Sequence, residues 1–221
     1  MLLCPSLMCA DFLHLADEVD ALCAAGADLL HLDVIDGHYV DTSSMGLGDV
    51  RAVCSRSSVP CDVHLMATNA AEACVHYIEA GASIVYVHPE TDKTINSTLA
   101  KIARLGAHPG IAVNPGLALE TVQWSLPLVD YVLIMTVNPG FSGQSFLDYV
   151  KPKIAQFAQL KDDYGFKIIV DGACSPAAIQ EVCALGADGA VLGTSALFGK
   201  PGPYRELMAR IRRLDCEPSL A

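Results

Sequence analysis

The pattern that most restricts this chain is a short unit that returns along it: an amphipathic stretch, a glycine, then an apolar run. It reads "CAAGADLLHLDV", "IEAGASIVYVHP", "IARLGAHPGIAV" and "CALGADGAVLGT", with a less regular copy in "DDYGFKIIVD". Gly26, Gly81, Gly106 and Gly186 fall where a helix ends and a left-handed residue is needed. Helices alternating with buried strands are the signature of βα units and a parallel sheet. Strands are expected near 2–7, 29–35, 61–66, 83–88, 109–113, 130–137, 167–171 and 189–193. Helices are expected near 11–25, 46–55, 69–80, 92–104, 117–124, 147–162, 176–184 and 203–213. About eight such units predict a (β/α)8 TIM barrel, one domain over 1–221. The rival, a doubly wound open sheet, lacks its Gly-x-Gly-x-x-Gly after the first strand. No Pro- or Ser-rich linker divides the chain.

Composition narrows the function classes. The chain is 52% apolar and 18% charged, which argues against disorder, and its apolar runs are too short for a membrane span. A net charge of −11 argues against nucleic acid or an anionic membrane as partner. The start, "MLLCPSLMCADF", has no positive n-region or long apolar h-region, so a cytoplasmic protein without a secretory signal is expected. The nine cysteines form no Cys-x-x-Cys pair, and several sit in apolar contexts such as "DALCAAG". Thiols are expected there, not disulfides or a zinc knuckle.

Against this apolar background the strand ends carry polar chemistry. In "LLHLDVIDGHYV", Leu30, Leu32 and Val34 share one face of a strand, and Leu29, His31, Asp33 and Ile35 the other. If the apolar set meets the helices, His31 and Asp33 point inward near the C-terminal mouth, where barrel enzymes keep their chemistry. The third strand adds His64 in "CDVHLMA" and the seventh Asp171 in "IIVDGAC". Ser6, His88 and Asn114 end the first, fourth and fifth. Two histidines and two carboxylates converging on one mouth suit one divalent cation such as Zn, Mn, Fe(II) or Co. A lone His-x-Asp is a weak signal, more often a hydrogen-bonded core histidine; four such residues at three strand ends are harder to dismiss. His14, His76 and His108 read as surface or helix residues, His38 and His88 stay open, and Asp36 reads as a turn residue.

The last three strand ends read as an anion cradle. "NPGFSGQSF" at 138–146, "DGACS" at 171–175 and "GTSALF" at 193–198 supply small residues, backbone N–H groups and possible helix starts. None contains lysine or arginine, so backbone donors and hydroxyls would do the holding. For any one loop, glycines that merely end a strand are the simpler reading; three adjacent loops shift the balance.

These segments, with "PSLMCADF", "HLDVIDGHYV", "DVHLM", "VHPE", "NPG", "MTVNPGFSGQSF" and "VDGACS", resemble the ketose-phosphate 3-epimerases from Leu3 to about Phe198. The resemblance implies a barrel of the ribulose-phosphate-binding type with a metal held by His31, Asp33, His64 and Asp171. Asp33 and Asp171 would double as the acid–base pair, and no organic cofactor is implied. Ser6 and His64 would contact the sugar, with Met66 and Met135 beside the reacting carbon. The phosphate would rest on Gly140, Phe141, Ser142 and Gly143, on Gly172 and Ala173, and on Gly193 and Thr194. A homodimer or homohexamer would suit the family.

Proton removal beside a carbonyl, with return to the opposite face, needs two acid–base groups and a Lewis acid, which agrees. Within the family, "PSLMC", "DGAC" and "GTSALF" lean toward D-allulose 6-phosphate ⇌ D-fructose 6-phosphate. D-ribulose 5-phosphate ⇌ D-xylulose 5-phosphate is the alternative. Ile35 stands where many relatives have methionine, and Ser142 and Ala173 replace glycines. The loop "YVDTSSMGLG" at 39–48, and within it 41–46, departs from the usual Val-Pro-Asn pattern, so it bears on substrate choice. A phosphate-gripping lyase or decarboxylase has no general need for Asp171 opposite Asp33. A non-catalytic sugar-phosphate sensor would be expected to have lost one of these residues.

Overall fold

A computed structural model of the chain describes residues 1–214. Eight parallel strands form its centre: β1 (Leu2–Pro5), β2 (Leu30–Asp36), β3 (Cys61–Met66), β4 (Ile84–Val87), β5 (His108–Val113), β6 (Tyr131–Met135), β7 (Lys167–Asp171) and β8 (Gly189–Leu192). Each pairs with the next in parallel from β2 through to β8, and β8 pairs in parallel with β1. The ring closes at one residue pair, the parallel bridge between Ser6 and His31. Below it, Asp28 N–H donates to Leu3 O, and Leu3 N–H donates to Asp28 Oδ2 at 2.8 Å. Among the described residues, the one antiparallel addition is the two-residue strand Ser43–Ser44, laid against Ile35–Asp36. The helices follow the strands: α1 (Leu15–Ala24), α2 (Leu47–Arg56), α3 (Ala70–Glu79), α4 (Ile95–Arg104), α5 (Leu119–Val122), α6 (Lys151–Ala158), α7 (Lys161–Tyr164), α8 (Pro176–Ala184) and α9 (Tyr204–Arg212). The chain is a single-domain (β/α)8 barrel.

Alternation along each strand produces two apolar layers. Leu30, Leu32 and Val34 join the layer between sheet and helices, as their shared face requires. The opposite faces fill the barrel axis with Cys4, Leu29, Ile84, Tyr86, Ala112, Leu133, Met135, Ile169 and Val191. Tyr86 is the largest fully buried side chain. Gly110 makes room for it, because a β-carbon there would lie 2.5 Å from Tyr86 Cδ1.

The expected helices begin and end differently where local hydrogen bonds compete with the α-helix. The stretch near 11–25 opens as the 3-10 turn Phe12–His14, with Asp11 accepting from Leu13 N–H, and turns α-helical only at Leu15. Asp92 Oδ1 accepts from Thr94 N–H and its hydroxyl, which delays α4 to Ile95. Near 117–124 only Leu119–Val122 is α-helical; a 3-10 segment containing Pro127 follows. The stretch near 147–162 divides into a 3-10 turn, α6 and α7. Cys4, Cys9, Cys23, Cys54, Cys61, Cys74 and Cys174 are free thiols. Cys216 lies outside the described residues. Among the described residues, no helix is long and apolar enough to cross a membrane.

Gly110→Ala forces a methyl group into the ring of Tyr86. Overpacking of this kind is expected to cost about 1–3 kcal/mol in denaturant unfolding; an unchanged midpoint would show that the axis can rearrange around it.

Candidate active site

Burying a carboxylate without a partner costs several kcal/mol, so the polar residues on inward faces must find one another. Strand register arranges this. His31 lies opposite Asp62 and Asp33 opposite His64 across the β2–β3 pair, while Asp171 ends β7 opposite Met135. Asp33 Oδ1 is 3.2 Å from His31 Nε2 and 3.1 Å from His64 Nδ1. Asp171 Oδ2 stands farther off, 3.9 Å and 3.8 Å from the same two nitrogens. One donor atom from each of the four residues falls within 4.8 Å of all the others. Ser6, at the closing seam, donates its hydroxyl to Asp33 Oδ2 at 2.6 Å.

The proton positions test whether a cation fits. His31 Nδ1 faces Asp62 Oδ1 at 2.8 Å, and an ionised carboxylate only accepts, so Nδ1 carries the proton. In the neutral ring Nε2 is then bare, with its lone pair aimed at Asp33 and Asp171. Lone pairs of nitrogen and oxygen that converge without a proton between them repel, unless a cation lies among them. The set, two imidazoles and two carboxylates, suits a divalent transition metal. The Asp62–His31 pair is the usual outer support of such a ligand.

Electrostatics separate the two aspartates. Burial opposes the Asp33 anion, but the charge of His31 and hydrogen bonds from His31 and His64 outweigh it and hold the carboxyl well below its ordinary range. Burial and the neighbouring Asp33 charge push Asp171 up to about 7. Burial also pulls His64 down to about 4. For His31, burial opposes the cation, yet Asp62 and Asp33 overcome it and raise its pKa well above the ordinary value. That extra proton is what a bound cation would replace.

Above this centre opens a recess of about 580 Å³ including its mouth. Ser6, Asp33, Met66, Met135, Gly140, Phe141, Ser142, Gly143, Asp171, Gly172, Ala173, Gly193 and Thr194 all line it. His31 and His64 are fully buried and reach the recess only through their contacts with Asp33 and Asp171. The expected residues therefore come together. Among the described residues, no lysine or arginine lines the recess. Gln144 pins the glycine-rich loop by donating to the carbonyls of Asn138 and Phe141. Gly172 has φ +117°, and a β-carbon there would meet Val137 Cγ2 at 2.6 Å, so the backbone approach demands glycine. Ala173 holds a left-handed φ of 50° that costs a residue with a β-carbon about 1–2 kcal/mol. Past Gly193 the chain forms turns instead of the anticipated helix start, with Leu197 N–H donating to Gly193 O at 2.9 Å.

The remaining polar candidates sort as their surroundings dictate. His14, His38, His76 and His108 are exposed. Asp36, expected in a turn, is the last residue of β2; its carboxylate holds the turn that follows, accepting from His38, Tyr39 and Thr68. His88, left open by its sequence, is fully buried with Nε2 2.8 Å from His64 Nε2. Asp62 was missed, although "CDVHLM" carries a signal: a carboxylate two residues before His64 shares its inward face. Cys9, which also lines the recess beside Gly193, had no signal beyond its place in "PSLMC".

Among solved structures, orotidine 5'-phosphate decarboxylase from Pyrococcus horikoshii superposes with a TM-score of 0.67 at 14% identity, covering 95% of this chain and 97% of that one. Phosphoribosyl anthranilate isomerase from Thermus thermophilus gives 0.66 at 16% identity, covering 97% and 100%. At such identities the likeness establishes the fold alone. Two carboxylates of unequal proton affinity beside one small recess are equipment for moving a proton at carbon, the work of an isomerase. The chain matches the profile of the Ribulose-phosphate 3 epimerase family over residues 2–198 and belongs to that family. It is 37% identical to ribulose-phosphate 3-epimerase of Aquifex aeolicus, covering 96% of this chain and 95% of the relative. It is 39% identical to that of Synechocystis sp., covering 98% and 96%, and 35% identical to that of Escherichia coli K12, covering 96% and 94%.

The proton affinities make cation binding pH-dependent. In the cation-free protein His31 holds a second ring proton and Asp171 is half-protonated near pH 7. A cation held by these residues would displace those protons, so its affinity should fall as pH drops through 7 and rise above it. The expected slope is roughly tenfold per pH unit for each proton released. Chelator competition at pH 6 and pH 8 measures it; equal affinities would mean that neither group gives up a proton to the ion.

Proposed function

We propose that this epimerase interconverts D-ribulose 5-phosphate and D-xylulose 5-phosphate by moving the proton on C3 between Asp33 and Asp171. The observation that carries the chemistry is the pair itself: Asp33 on β2 and Asp171 on β7 line one recess from different sectors of the barrel. In one direction an ionised aspartate takes the C3 proton, and the C–H electron pair passes into a C2–C3 enediolate. The second aspartate gives its proton to the opposite face of C3, and the reverse reaction exchanges the roles. A divalent cation held by His31, Asp33, His64 and Asp171 would supply Lewis-acid stabilisation for the negative charge that develops on the substrate oxygens. Ser6 keeps Asp33 oriented through its 2.6 Å hydrogen bond. Met66 and Met135, both nearly inaccessible, wall the recess with apolar groups that limit water near the reacting carbon. Backbone N–H groups around Gly140–Gly143, Gly172–Ala173 and Gly193–Thr194 receive the phosphate.

Ribulose phosphate is preferred to D-allulose 6-phosphate because the relatives from Aquifex, Synechocystis and Escherichia coli all carry the ribulose name over nearly the whole chain. The sequence features that lean the other way are confined to Leu7, Met8 and Cys9, to Ala173 and Cys174, and to the turn after β8. The two substrates differ by one hydroxymethylene unit, so discrimination of about tenfold or more in kcat/KM is expected in favour of ribulose 5-phosphate. The opposite order would assign the enzyme to allulose 6-phosphate. In D2O the product should carry solvent deuterium at C3, and label-free turnover would eliminate proton exchange with the two carboxylates. Asp171→Asn should lower kcat by roughly 10²- to 10⁴-fold while the fold persists.

A further inference from the structure

We propose that the turn from Ser6 to Cys9 is a specificity-determining gauge: it holds the last loop of the phosphate cradle at a fixed separation from Asp33, and Cys9 sets that separation. The gauge rests on the cradle and the acid–base pair as proposed above, and it concerns which length of ketose phosphate fits between them.

The turn is held at both of its ends. Ser6 donates its hydroxyl to Asp33 Oδ2 at 2.6 Å and its N–H to Leu192 O at 3.1 Å. Leu7–Cys9 then makes one 3-10 turn, anchored by the fully buried Leu7. The N–H of Cys9 returns to Ser6 O at 3.0 Å. Its sulfur receives the backbone N–H of Thr194, and a β-carbon on Gly193 would lie 3.5 Å from it. Because Gly193 and Thr194 follow Leu192, these bonds close a ring: Ser6 to Leu192, along the chain to Thr194, across to Cys9 and back to Ser6. Asp33 is tied to one side of that ring, and the cradle loop Gly193–Thr194 forms the other.

A ketose phosphate must span from its reacting carbon to its phosphate, and pentulose and hexulose phosphates differ in that span by one carbon. A small ring of hydrogen bonds has little freedom to lengthen by a carbon–carbon bond. Ser6, Met8, Cys9, Gly193 and Thr194 all line the same recess, so a substrate lies along the ring. Thiol sulfur is a weak acceptor. It therefore holds the Thr194 N–H in the free protein and yields it to the stronger oxygen of a phosphate. The loop is oriented before the phosphate arrives, which spares part of the ordering cost of binding.

The ratio of kcat/KM for D-ribulose 5-phosphate to that for D-allulose 6-phosphate reads the gauge when it is compared between variants. Cys9→Ala should bring the ratio roughly tenfold closer to one, with the loss for the preferred ketose mainly in KM. Cys9→Ser, which keeps an acceptor facing Thr194, should restore most of the discrimination. An unchanged ratio in Cys9→Ala, with or without a lowered melting temperature, would reduce Cys9 to a structural support and overturn the gauge. A loss confined to kcat would overturn it too, because the effect would then lie at the acid–base end. A wild type that prefers allulose 6-phosphate would refute the ribulose reading, yet collapse of that preference in Cys9→Ala would leave the gauge standing. A wild type that treats both ketoses alike would overturn the gauge and leave the epimerase. Should Cys9→Ala fail to fold, Cys9→Val, which fills the space without accepting a hydrogen bond, is read by the same ratio.

Discussion

The centre of this molecule depends on one constraint: charged groups placed inside a barrel must be neutralised by one another. Asp33 and Asp62 are buried on β2 and β3, with His31 and His64 beside them on the same strands. Left alone, each ionised carboxylate would cost several kcal/mol, and removing one partner from such a set typically costs 3–5 kcal/mol. The sheet supplies the partners through register, setting His31 against Asp62 and Asp33 against His64. A one-residue slip of β3 would turn Asp62 and His64 toward the helices and bring Val63 and Leu65 to the axis. Register, barrel closure and site are therefore a single condition. The ring itself closes at Ser6 and His31, so its weakest seam is tied by the site's own hydrogen bonds.

What could be read from the sequence follows from that geometry. The two-residue period of a strand separates Leu30, Leu32 and Val34 from His31 and Asp33 without any knowledge of the neighbours. The glycine-rich segments announce backbone donors because few other residues permit the approach seen at Gly172. Asp62 escaped because it follows Pro60 at the start of a strand, where a carboxylate usually meets water. Its partner becomes visible only when β2 and β3 are laid in register. Cys9 and Thr194 come from the first and last turns of the barrel mouth, and no local period links them. Helix starts were blurred for a different reason: Asp11 and Asp92 divert backbone N–H groups into turns.

The cradle contains no cationic side chain, although the chain carries a net charge of −11 and is proposed to hold a phosphorylated sugar. The neighbouring carboxylates offer a physical reason. A flexible lysine in this recess could swing onto Asp33 or Asp171 and neutralise them in place of a metal ion. Backbone N–H groups attract an anion but cannot travel. A recess built from them would keep a phosphate end and an acid–base end electrically separate, at the cost of strained backbone such as Ala173 in its left-handed conformation.

The same separation explains how two identical side chains can divide one reaction. Asp33 receives Ser6 at 2.6 Å, His31 at 3.2 Å and His64 at 3.1 Å, so its negative charge is shared among three donors. Neither histidine comes closer than 3.8 Å to Asp171 Oδ2, and Asp171 sits at the end of its strand with a partly exposed side chain. One aspartate is thus fixed as an anion by its neighbours. The other is destabilised as an anion by burial and by the first, which places its proton affinity near neutrality. A proton exchanged at one carbon needs this inequality, because two equally acidic groups would both be ionised at pH 7 and neither could return the proton. The inequality arises from where β2 and β7 end, not from the residue type. Moving either carboxylate by one residue along its strand would turn it toward the helices and out of the site.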